Sequence, residues 1–208
     1  MIIIMFEKLK FVIDQMDEKS INSERQSSLK PLINYIEGKL INKRQVSLNF
    51  ICTHNSRRSH LAQVWAQTIA HYFNFNNVFC YSGGTENTAI YIAVLKALTH
   101  SGFEIEKISE NENPVYNIKY SLHQMPVICF SKCFDHSINP STDFAAILTC
   151  TEADKGCPHI YGADIRIPMP FEDPKSYDNT AQQDQKYLER SLQIATEMKY
   201  IFSKIKSR

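Results

Sequence analysis

The chain has 208 residues, 43% of them hydrophobic, and its 23 basic and 22 acidic side chains leave a formal charge of +1. That is enough apolar material for one main core with an extension. It is also too balanced a charge to draw the chain to nucleic acid or an acidic surface, so neither partner is expected. No run approaches the ~20 apolar residues of a membrane span; six cysteines are too few for a disulfide scaffold, which points to free thiols in a reducing cytoplasm.

Met1-Ile-Ile-Ile-Met-Phe6 is apolar, but no basic run precedes it and no small-residue cleavage site follows, so a signal peptide is not expected. Residues 1–45 read as a helical extension. Phe6, Leu9, Phe11, Val12 and Met16 mark one amphipathic segment; Leu29, Leu32, Ile33, Ile36 and Leu40 mark a second, with a polar linker over Asp17 to Ser28. Pro31 lies inside the second run and argues for a start later than Ser23. The extension is read as a cap on the rest of the chain, with a dimer or partner surface as the alternative.

Val46 to Cys52 reads as a first strand and 59–74 as the helix after it, with Leu61, Val64, Trp65 and Ile69 on one face. Val78 to Ser82 is a second strand. Gly83-Gly84 is expected to break the chain, with Thr85 or Asn87 capping a helix that runs to His100 and stops at Gly102. Within 109–130, Val115–Leu122 and Pro126–Phe130 read as a hairpin joined at His123-Gln-Met125. Its role is open between a lid and padding at the sheet edge. Cys129 and Cys133 have no second pair at zinc-like spacing, so no metal is expected there.

Phe144 to Thr149 is an apolar strand ending at Cys150, Asp164–Ile167 a last short one, and 180–206 a long amphipathic helix. Strands alternating with helices argue for a parallel sheet with right-handed crossovers. Sites in such sheets lie at the carboxyl ends of strands, so Cys52 and Cys150, each ending a strand, can face one crevice.

The stretch Cys52-Thr-His-Asn-Ser-Arg-Arg-Ser59 joins a strand to a helix. That arrangement aims loop amides and a helix N-terminus at one point, which attracts an oxyanion. Aligned dipoles together with Arg57 and Arg58 favour a sulfur anion at Cys52, which is a strong nucleophile. Arg58, at Cys-x5-Arg spacing, can hold two oxygens of a tetrahedral anion. Ser59 can donate a hydrogen bond to the sulfur. The bland alternative is a buried strand-end cysteine before a basic helix start. Two weaker signals follow. Cys150-x6-Cys157 has a flexible polar spacer that can let two sulfurs meet, and Asp173 in Phe171-Glu-Asp-Pro174 can present a carboxyl to a leaving oxygen. Either is also common without function.

These stretches resemble the low-molecular-weight protein tyrosine phosphatase superfamily over roughly residues 46–208. Leu148-Thr-Cys-Thr-Glu-Ala-Asp-Lys-Gly-Cys-Pro158 is similar to the redox segment of its thioredoxin-coupled arsenate reductase branch. The resemblance implies an α/β three-layer fold with a central parallel four-stranded sheet flanked by helices, here with the N-terminal extension (1–45) and an insertion at about 109–130. It implies Cys52 as nucleophile, Arg58 as clamp, Ser59 as hydrogen-bond donor and Asp173 as general acid. Thr53, His54, Asn55, Ser56 and Arg57 would form the anion loop, and Ser82 a supporting hydroxyl beside it. Tyr177 stands near where the phosphatases place an aromatic at the substrate entrance. The family usually has Gly where His54 stands and a second Cys at Arg57. Gln63 stands where the reductases often carry an acidic residue tied to a cation, and no metal or cofactor is carried over.

Three functions follow as expectations. The first is arsenate reduction at Cys52, with a disulfide relay through Cys150 and Cys157 to thioredoxin. The second is phosphotyrosine hydrolysis through a phosphocysteine at Cys52 with Asp173 as acid. The third is a non-enzymatic anion-binding module, which a Cys52 inert to alkylation would favour.

Overall fold

The computed structural model describes residues 5–156 and 159–206. In chain order the elements are α1 (Glu7–Asp14), α2 (Ser23–Ile41), β1 (Val46–Cys52), α3 (Arg58–Tyr72), β2 (Val78–Gly84), α4 (Ile92–Ser101), β3 (Glu104–Lys107), β4 (Tyr116–Lys119), β5 (Val127–Cys129), β6 (Phe144–Leu148), α5 (Thr151–Gly156), β7 (Ala163–Pro168) and α6 (Gln183–Ser203). Short 3₁₀ turns lie at Glu18–Ser20 and Pro174–Tyr177. Among the described residues no helix is long and apolar enough to cross a membrane.

The central sheet has the order β2-β1-β6-β7, and every pairing in it is parallel. β1 is buried along its whole length, as an inner strand covered on both faces must be. Side chains alternate across it. Val46, Leu48 and Phe50 enter the large core with Trp65, Ile194, Met198 and Ile201; Ile51 enters a smaller cluster with Leu148, Ala153 and Ile160. The helical extension shares the large core. Leu29, Leu32 and Ile36 of α2 are fully buried in it, at ~1.5–3 kcal/mol each. Buried Lys39 of α2 reaches across to Asp143 and Asp164, which ties the extension to the N-terminal ends of the parallel strands β6 and β7.

Four local expectations change. α2 starts at Ser23 and runs through Pro31, because the Asn22 side chain caps it at Arg25 N (2.8 Å) and Pro31 lies on the exposed side. There water can take the Ser27 carbonyl that the proline leaves without its helical donor. Gly83 and Gly84 do not break the chain. They extend β2 and pair with Ile51 and Cys52. The helix expected from Thr85 or Asn87 begins only at Ile92, since Thr85 and Thr88 turn their hydroxyls to loop carbonyls instead. The spacer after Cys150 is helical (α5), with the Cys150 sulfur accepting from Ala153 N at 3.3 Å.

The expected hairpin is present as β4–β5, joined by the antiparallel β3 that the charged run Glu104-Ile-Glu-Lys107 concealed. This second sheet packs Ile118 and Val127 into the large core and is met by the N-terminal segment, Phe6 N donating to Tyr120 O at 3.2 Å. The chain that leaves it, residues 131–134, returns along the free edge of β2. Gly84 N donates to Lys132 O (2.8 Å) and Phe134 N to Gly84 O (2.9 Å).

Candidate active site

Between β1 and α3 four carbonyls of the loop point outward to donors of the scaffold. Cys52 O accepts from Thr85 N (3.1 Å), Thr53 O from Glu86 N (2.9 Å) and Ser56 O from Tyr91 N (3.1 Å). His54 O accepts from the hydroxyls of Ser131 (3.0 Å) and Thr88 (3.2 Å). In a trans peptide the N–H points opposite to the carbonyl. The amides of Thr53, His54, Asn55 and Arg57 are therefore turned inward, toward the N-terminus of α3, which is the geometry of an anion cradle. The packing depends on Gly84. A Cβ there would lie 2.6 Å from Thr53 O and 2.8 Å from Asn55 N.

Asn55 holds the loop in shape. Its backbone takes φ +44°, a left-handed conformation that Asn tolerates better than most residues. Its side chain is wholly buried; Oδ1 accepts from Lys132 N at 2.9 Å and Nδ2 donates to Ser59 Oγ at 2.8 Å. Since Ser59 Oγ accepts there, its own hydrogen is free for the Cys52 sulfur 3.1 Å away. Arg58, also buried, donates from Nη1 to Phe171 O at 3.0 Å and from Nη2 to Asp173 Oδ2 at 2.5 Å. Cys52, Arg58, Ser59 and Asp173 thus converge. Cys52, Arg58 and Asp173 line a cleft of about 360 Å³ together with Thr53, His54, Ser56, Arg57, Thr151, Glu152, Phe171, Glu172 and Lys175, and Ser59 lies buried behind the sulfur.

Other sequence candidates are placed differently. The Arg57 guanidinium is engaged away from an anion. It pairs with Asp178, donates to Tyr187 Oη and lies 4.3 Å from the centre of the Tyr91 ring. Those partners, with burial working against them, hold it firmly charged. The Ser82 hydroxyl meets His60 Nδ1 at 3.3 Å rather than the loop. Complete burial, with the Lys132 charge nearby, pushes the His60 imidazole down to about 3, so it is neutral. Tyr177 packs under Lys186 and is not among the cleft residues. Glu172, exposed at the rim, binds Arg190 at 2.6 Å. Cys129 and Cys133 are apart in their contacts, the first beside Gln63 and the second beside Asn87.

Cys150 is completely buried at the edge of the loop, its sulfur 3.5 Å from Thr53 Oγ1. Cys157 lies outside the described residues. The supports supplied by Ser131, Lys132, Thr85 and Thr88 were not singled out from the sequence. Ordinary polar residues 30–80 positions from the loop carry no local signal of that use.

No family model matches the sequence, and no curated protein matches it. Solved structures do resemble it. A low-molecular-weight phosphotyrosine phosphatase from Vibrio cholerae O395 aligns at 14% identity, covering 76% of this chain and 94% of that one, with a TM-score of 0.50. An arsenate reductase in a phosphate-binding state aligns at 17% identity over 78% of this chain and 100% of that one, with a TM-score of 0.50. A low-molecular-weight protein tyrosine phosphatase from T. tengcongensis gives 12%, 77%, 99% and 0.52. At such identities the likeness establishes the fold: a parallel four-stranded sheet with flanking helices, as in the low-molecular-weight phosphatases and arsenate reductases.

Proposed function

We propose that this chain, built on the low-molecular-weight phosphatase fold, is a thioredoxin-coupled arsenate reductase with Cys52 as its nucleophile. The observation that carries the reading is a second buried thiol, Cys150, held against Thr53, the residue next to Cys52. Hydrolysis can run without a thiol there, where its use would be incidental or redox-protective, whereas reduction requires one.

In this mechanism the Cys52 thiolate, hydrogen-bonded by Ser59, attacks arsenic(V) while the loop amides and the Arg58 fork hold the arsenate oxygens. Asp173, when protonated, gives its proton to the departing oxygen, which leaves as water. Cys150, as thiolate, then attacks the Cys52 sulfur. A Cys52–Cys150 disulfide forms, the S–As bond breaks, and its electron pair passes to arsenic, which leaves as arsenite. Cys157, assigned from the sequence, attacks Cys150 and frees Cys52. The dithiol of thioredoxin reduces the resulting Cys150–Cys157 disulfide.

Phosphotyrosine hydrolysis is the second reading, and the carboxyl of Asp173 beside Arg58 favours it. It would share the first step and end with water attacking a phosphocysteine. Against it stands Tyr177, which packs under Lys186 instead of walling the cleft. The rim is set with the charged side chains of Glu152, Glu172 and Lys175, which offer no apolar wall to an aromatic ring. Purified protein assayed on arsenate with thioredoxin, and on a phosphotyrosine peptide, separates the two. Cys150→Ser is expected to abolish arsenate turnover while sparing hydrolysis of p-nitrophenyl phosphate. Arsenate turnover that survives this change excludes the reductase.

A further inference from the structure

A second concave surface lies between α3, β2 and the β4–β5 turn. It encloses about 370 Å³, within the range of small-molecule sites. Its lip is apolar and exposed: Met125 is 84% and Ile138 53% accessible, with Phe79 and Ile128 beside them. Its buried wall is polar, carrying Lys132, His71 and Asn139.

Lys132 is the unusual member. Only 2% of it is exposed, its ammonium lies 4.8 Å from the centre of the Phe130 ring, and no carboxylate lies among the described residues lining the cavity. Burial pushes the ammonium down to about 8, the neighbouring Cys129 thiol opposing slightly, and burial also lowers His71, so Lys132 is the one formal charge of the cavity at neutral pH. A buried ammonium facing only neutral groups costs several kcal/mol unless an anion joins it. Two other lining residues keep buried polar atoms without a protein partner, His71 Nε2 and Asn139 Oδ1.

We propose that this cavity binds a small amphipathic organic anion, an aromatic carboxylate or sulfonate whose acid group pairs with Lys132 and whose apolar body rests on Met125, Ile128 and Phe79. Charge and shape both select it. A single desolvated cation matches one acid group, and the apolar lip matches a ring; inorganic oxyanions would leave that lip wet.

The test is a fluorescence titration of the full chain with 8-anilinonaphthalene-1-sulfonate. One saturable site is expected, with N-phenyl-1-naphthylamine, the analogue without the sulfonate, binding about tenfold or more weakly. Lys132→Met is expected to weaken the sulfonate by about tenfold and Lys132→Arg to restore most of it. Ile128→Glu, at the accessible lip, should weaken it similarly by repulsion. If Lys132→Met does not fold, Ile128→Glu decides alone. Inorganic phosphate, added as a competitor for the Cys52 loop, should leave the titration unchanged. Unsaturable binding, equal affinity for the neutral analogue, insensitivity to Ile128→Glu or Lys132→Met, or displacement by phosphate each overturns the proposal.

Discussion

The two concave surfaces are similar in volume and opposite in construction. The Cys52 cleft is made from main-chain amides, with the carbonyls of Cys52, Thr53, His54 and Ser56 turned to named donors. The cavity at Lys132 is made from side chains, with one charge held in apolar surroundings. A cradle of amides is rigid and serves a charge that develops during reaction. A lone desolvated cation answers to whatever fills the space beside it. The two share one strut, residues 131–134, whose Lys132 gives its main chain to Asn55 and its side chain to the cavity.

That contrast can be attacked from either side. The largest effect is expected from Cys52→Ser, which should reduce both arsenate turnover and p-nitrophenyl phosphate hydrolysis to background while the fold, read by circular dichroism, stays intact. Residual turnover of either substrate would show that the cleft does not work through its sulfur. Arg58→Lys comes next, with kcat expected to fall by roughly 10²–10³, since a point charge cannot replace a bidentate fork on the anion. A loss under tenfold would mean that the amides alone hold the anion.

Asn55→Ala attacks the shared strut. It removes the bonds to Lys132 N and Ser59 Oγ and forces alanine to φ +44°. Urea unfolding should show a loss of ~1–3 kcal/mol, and turnover should fall as well; unchanged turnover would separate the loop from its buttress. His60 gives an effect that only a change of pH brings out. Its folded value of about 3 lies below the ordinary 6.5, so between those pH values the unfolded chain binds the extra proton. Stability then falls as pH falls through that window, by up to ~1.4 kcal/mol per pH unit. His60→Gln should flatten this slope when unfolding is compared at pH 6.5 and 4.5. An equally steep slope in the variant would assign the acid sensitivity to other groups.

The central sheet was legible because periodicity changes sharply along the chain. Val46 to Cys52 is unbroken and apolar, then Leu61, Val64, Trp65 and Ile69 follow helical spacing. The convergence of Cys52, Arg58 and Ser59 was legible for the same reason, as they lie within one strand–loop–helix unit. What could not be read depends on pairing at a distance. Arg57 looks like an anion ligand until Asp178 and Tyr187 claim it from more than 120 positions away. Ser82 looks like loop support until His60 takes its hydroxyl. The helix through Pro31 was hidden because burial of Leu29, Leu32 and Ile36 outweighs a local cost that the sequence displays openly. β3 was hidden because its charged residues stay in solvent and only its partner strand justifies it.

The engagement of Arg57 also limits how this protein can be recombined. Residues 52–59 form a contiguous cassette, and moving them into a distant scaffold would be an obvious graft. The cassette would arrive with a guanidinium but without the aspartate, the phenol and the ring that receive it here. The recipient would have to bury that cation alone or expel it, opening the loop in the process. Positions 57, 91, 178 and 187 therefore have to travel together as one inherited unit.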